Sequence, residues 1–118
     1  GNINEIPTLI NSEASVVTML SGLTITKTAD KTVWADRLLT YTITISNQTT
    51  VPYVTPIVKD ILDTSLVNFV DDSVTIDGVK ATAEEASFDT ATSTLTVNLT
   101  DIEAAGTKTI TFQVTKKA

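Results

Sequence analysis

The chain contains no cysteine and no histidine, and those two absences remove most enzyme chemistry at once. There can be no Ser-His-Asp or Cys-His relay, no Cys/His zinc site and no haem ligated through those residues. No disulfide can form, and at 118 residues the chain is long enough to build one domain with a real core unaided. Basic residues are scarce as well. Eight Lys+Arg stand against fourteen Asp+Glu, a net charge of −6, which leaves no electrostatic footprint for nucleic acid or an anionic membrane. Aromatics make up only 5%, so the spare rings of a glycan-stacking platform are missing. No residue is a nucleophile with a base beside it. The expectation is a non-enzyme without a cofactor or a metal.

What the chain does have is threonine, 24 of its 118 residues, with valine and isoleucine behind it. Branching at Cβ restricts χ1 and suits a pleated sheet better than a helix. The uncharged run Leu38–Val58 matches the ~20 residues that a membrane-crossing helix needs. It alternates, however, and is broken by Asn47, Gln48, Pro52 and Pro56, so it reads as strand, turn and edge. The opening GNINEIPTLINSE has neither the basic start nor the apolar core of a signal peptide. It reads as an excised piece, for which missing targeting signals say little.

Period-two alternation resolves the chain into short strands. Leu23–Lys27 alternates, and in Leu39–Ile45 the side chains of Tyr41, Ile43 and Ile45 face one way and the threonines the other. Further strands are expected over Tyr53–Asp60, Leu66–Val70, Thr94–Leu99 and Thr107–Thr115, with one more over residues 9–18. Asp77-Gly78 between two strand-like runs predicts a two-residue hairpin, because both positions require positive φ. Helical turns are expected only at Ala83–Ser87 and Ile102–Ala105. Turn residues at this spacing predict an all-β antiparallel sandwich.

Several segments fall in a familiar order. They are Thr26-Lys27-Thr28, Ala35-Asp36 leading to Tyr41, Ser46-Asn47, Val58-Lys59-Asp60-Ile61-Leu62, and Ala105-Gly106 before Thr107. Over residues 22–115 the chain resembles the immunoglobulin-like conserved repeat of bacterial cell-surface proteins, family eleven of the domains of unknown function. It departs from that pattern at Ala35 in place of Gly, at Asn47-Gln48-Thr49 in place of an Asn-x-Gly turn, and at Asp63 in place of Pro. The resemblance implies an immunoglobulin-like sandwich of about seven strands plus an extra N-terminal strand. Residues 1–21 then read as the closing strand and linker of a preceding repeat, and residues 22–118 as the repeat itself.

By the same resemblance the protein is a structural or adhesive module outside a bacterial cell, at the cell wall or surface, acting as a stalk spacer or interaction domain. The alternative is an extracellular ligand-binding module. The implied partners are neighbouring repeats, a strand-exchanged homo-oligomer through residues 9–18, and a host protein or glycan. A parallel pairing of residues 9–18 with Leu23–Lys27 would need a longer crossover than Met19–Gly22 supplies. That segment is therefore expected to fold back antiparallel or to pair at an edge or in a neighbouring chain.

Lys27 shares parity with Leu23 and Ile25, and Asp60 with Val58, so both charges should point inward. Surface domains of related architecture join such a lysine to an asparagine in an isopeptide bond assisted by an acid. Asn11 is the nearest asparagine in the closing strand, one residue out of phase, with Ser12 at the in-phase position. Three readings stay open for Lys27, Asp60 and Asn11: an isopeptide bond, a buried Lys27–Asp60 ion pair, or a Lys27 that snorkels to solvent. The acids Asp71-Asp72, Asp89 and Asp101 with Glu103 read as solvated loop charges, since none follows a calcium-loop pattern. Trp34 and Tyr53 are candidate glycan-stacking rings, but with so few aromatics Trp34 reads as packing over one end of the sandwich and Tyr41 as core or a corner hydroxyl. The sequons at Asn47 and Asn98 read as chance matches.

Overall fold

Threonine alternates with branched aliphatic side chains through Leu38–Asn47 and Thr107–Lys116, and these segments form the two longest strands. The computed structural model describes residues 14–16, 22–31, 33–34 and 36–117. Its strands are β1 (Ala14–Val16), β2 (Leu23–Ala29), β3 (Leu38–Asn47), β4 (Ile57–Ile61), β5 (Val67–Phe69), β6 (Thr75–Ile76), β7 (Val79–Lys80), β8 (Ala86–Asp89), β9 (Thr94–Asn98) and β10 (Thr107–Lys116). Every pairing is antiparallel. One sheet has the order β1-β4-β9-β8; the other runs β2-β3-β10-β6-β7, with β5 also pairing along β10. The architecture is an all-β, immunoglobulin-like sandwich.

The inward residues of each strand meet between the sheets. Leu39, Tyr41, Ile43 and Ile45 of β3, Ile110, Phe112 and Val114 of β10, and Leu95 and Val97 of β9 are all buried. A row of rings crosses this core. Tyr41 and Phe112 lie 5.3 Å apart, Phe112 and Phe69 6.2 Å, and Phe69 stacks on Phe88 at 4.8 Å and 16°. On the outward face the register brings the threonines into ladders. Thr28, Thr42, Thr111 and Thr75 stand side by side across four strands, and the Thr75 and Thr111 hydroxyls are hydrogen-bonded. Cross-strand pairs of β-branched side chains are the unit that stabilises a sheet face, which accounts for the threonine excess.

The sandwich has more strands than the sequence predicts because the chain between β4 and β9 is broken into short pieces. Asp77 and Gly78 take φ of 50° and 84°, closing the expected hairpin between β6 and β7. The segment expected as a helical turn at Ala83–Ser87 divides instead. Thr82 and Glu85 cap each other, with the Thr82 amide donating to Glu85 Oε1 at 2.9 Å and the Glu85 amide to Thr82 Oγ1 at 3.3 Å. That single turn stops at Ala86, where Phe88 and Ala86 turn inward and β8 begins. At the third expected strand, pairing starts only at Ile57. Tyr53 makes one isolated bridge to Ile102, and Thr55 takes a positive φ of 38° between the two prolines.

Within the segment 9–18, the described residues 14–16 pair along β4 rather than along β2, with Ala14 opposite Asp60 and Val16 opposite Val58. Crossing to the other sheet removes the need for a parallel crossover beside β2. Val16 is 6% exposed and belongs to the common core.

Candidate functional site

Lys27 on β2 and Asp60 on β4 lie in opposite sheets, and both point into the space between them. Their charges meet there: Lys27 Nζ is 2.8 Å from Asp60 Oδ2, with the side chains 3% and 1% exposed. The ammonium also stands 4.2 Å from the centre of the Tyr41 ring and 5.8 Å from that of Phe112. Carboxylate on one side and the negative faces of two rings on the other make a cage for one cation. β2 is the outer strand of its sheet, so the pair fastens an edge to the opposite layer.

Tyr41 completes the cage and is fully buried. Its hydroxyl has no hydrogen-bond partner among the described residues. Burial, and secondarily the negative charge of Asp60, push its ionisation well above the usual tyrosine value, so the phenol stays neutral. Sequence alternation places Tyr41 in the core, but nothing in it reveals that its ring faces the lysine.

Asn11 lies outside the described residues. Asn98 is exposed on β9 and donates to the Glu84 carbonyl at 3.2 Å, away from the cage. Asn47 is 2% exposed and engaged on every side. Its Nδ2 donates to the carbonyls of Val51 at 2.8 Å and Ile102 at 3.1 Å, and its Oδ1 accepts from the Thr49 amide and hydroxyl. The first sequon is therefore a loop clamp, with its asparagine side chain out of reach.

The other motifs act at turns. Asp36 accepts the Leu38 amide at 3.2 Å beside Arg37, whose φ is 65°, and this turns the chain into β3. Ala105 has φ of 59°, and a Cβ on the following Gly106 would stand 2.9 Å from the Glu103 carbonyl, which explains the Ala-Gly pair. Asp101 accepts the Thr55 amide at 2.8 Å. Among the described residues no carboxylates converge into a metal-holding group. Trp34 and Tyr53 are half-buried and pack against the core.

No family model matches the chain, and no curated protein matches it. The cage is thus described by its own chemistry. It can hold an ammonium and a carboxylate together in apolar surroundings, and it links the two layers of the sandwich by a charge pair.

Proposed function

We propose that the chain is a structural and adhesive repeat module of a bacterial cell-surface protein, working as a spacer or interaction domain and joined to its neighbours by exchange of β1. The observation that carries this reading is the seat of β1. Among the described residues it pairs Ala14 with Asp60, Ser15 with Lys59 and Val16 with Val58, and it covers the strand that bears Asp60. Its start lies toward the end of the sandwich formed by residues 62–66. β10 finishes at that same end, where the Lys117 amide donates to the Leu66 carbonyl at 2.9 Å. A strand leaving β10 through a short turn could therefore take the seat that β1 occupies. The resemblance over residues 22–115 supplies the cell-surface setting, and the Lys27–Asp60 clamp suits a module under mechanical load.

The pair Ser15 and Lys59 is exposed and directly opposed, within reach of a disulfide. In the Ser15→Cys/Lys59→Cys variant these are the only two thiols, because the chain has no other cysteine. Refolded and oxidised at rising concentration, it should give a growing fraction of covalent dimer on non-reducing gels. Exclusive intrachain bridging at every concentration would overturn exchange of β1.

A further inference from the structure

The four-stranded sheet ends at β8, and no described strand pairs with its far side. The Asn98 amide donates to the Glu85 carbonyl at 2.7 Å, one step beyond the Ala86–Val97 position of the β8–β9 ladder. Bonded positions recur at every second residue of an antiparallel pair, so Ser87 and Asp89 turn their backbone groups toward β9. Phe88 turns its N–H and C=O outward, offering an open edge.

Beside this edge a cavity of about 390 Å3 opens between the sheets. Its apolar wall includes Val74, Ala86 and the stacked rings of Phe69 and Phe88, and Asp71 and Asp72 stand at its rim. The two aspartates are exposed, and neither joins an ion pair among the described residues. Their loop is held in place. The Val70 amide donates to the Gln113 carbonyl at 3.0 Å, while Ser73 Oγ donates to the Val70 carbonyl at 2.6 Å and accepts the Gln113 amide at 3.0 Å.

We propose that this edge and cavity dock an extended segment of a basic partner protein. Its backbone adds a strand beside Phe88, and one arginine enters the cavity over the Phe69–Phe88 rings toward Asp71 and Asp72. A residue placed opposite Phe88 shares its facing and so points between the sheets. Arginine suits the cavity because its planar guanidinium stacks on rings and donates in a fork to carboxylates. Strand addition supplies affinity through backbone bonds, and the pocket supplies specificity. A second copy of this chain is disfavoured: edge-to-edge pairing would bring Asp71, Asp72, Glu84 and Asp89 against their own kind on a molecule of net charge −6. This surface is separate from the seat of β1, so either proposal can fail alone.

The probe is the peptide acetyl-Val-Thr-Arg-Thr-Val-amide, titrated into the 15N-labelled chain and followed by amide shifts. Binding should move the resonances of Ala86–Asp89 and of Asp71 and Asp72. The Asp71→Asn/Asp72→Asn variant, changed only at exposed loop positions, should bind about tenfold more weakly. Replacing the peptide's arginine by glutamate should abolish binding. No shift at millimolar peptide, shifts scattered elsewhere, or equal binding by the Asn variant would each overturn the proposal.

Discussion

Removing one member of a buried ion pair strands the other in apolar surroundings, whereas replacing both by apolar groups leaves nothing unpaired. Lys27 and Asp60, at 2.8 Å and almost without solvent contact, should show this asymmetry. We expect Lys27→Met and Asp60→Leu each to destabilise the fold by about 3–5 kcal/mol, and the double variant to recover most of that loss. Urea unfolding of the four proteins checks it; additive losses would show that the charges act independently. Intact mass separates this pair from the covalent reading, because a Lys27–Asn11 bond expels one ammonia. The inward direction of both charges is legible in the sequence, since alternation with Leu23, Ile25 and Val58 fixes their faces. Their apposition is not, because period two says nothing about which residue of the opposite sheet lies across the core.

At the scale of elements, local chemistry decides the turns and tertiary packing decides the short strands. Asp77-Gly78 is readable because two consecutive positive φ angles admit few residue types. The structure adds that Asp77 anchors the hairpin to β10, accepting the Thr109 amide at 2.9 Å and pairing with Lys108 at 3.3 Å. A Cβ on Gly78 would meet nothing within 4 Å, so Gly78→Ala tests backbone conformation alone. It should cost roughly 1–2 kcal/mol, the penalty for an L-residue held left-handed. A urea midpoint equal to that of the unaltered chain would mean that the hairpin rearranges instead. β8 shows the opposite case. Thr82-Ala83-Glu84-Glu85 carries a genuine capping box, and the local signal for a helical turn is correct for one turn. It is overridden at Ala86 because Phe88 buries its ring against Phe69, a partner about twenty residues away that no local pattern announces.

For the whole molecule, the absent histidine and cysteine leave no side chain whose ordinary ionisation falls between about pH 5 and 8, so stability should be flat there. The limbs outside that window have identifiable owners. The Leu38 amide, opposed by modest desolvation and helped by Lys31, holds the Asp36 carboxyl below its ordinary range. Burial opposes ionisation of Asp30, but the Thr40 amide and Lys31 outweigh it and lower that group too. A carboxyl lowered on folding contributes stability above its unfolded value of 3.8, lost as pH falls through the folded value. The acid limb should therefore begin near that value. On the alkaline side, the Asp30 carboxylate, and then Asp36, raise Lys31 above 10.5, so its contribution is complete below that value and lost as pH rises through the folded one. Tyr41 acts in the same direction. The unfolded chain releases the phenol proton near 10.0 while the buried ring keeps it, so the unfolded state binds fewer protons and stability falls with rising pH. Tyr41→Phe removes a buried hydroxyl that has no partner among the described residues and keeps the ring over Lys27. We expect it to match the unaltered chain at neutral pH and to lose less stability between about pH 8 and pH 11. Parallel urea midpoints for the two proteins across that range would assign the alkaline limb to Lys31 and would remove Tyr41 from it.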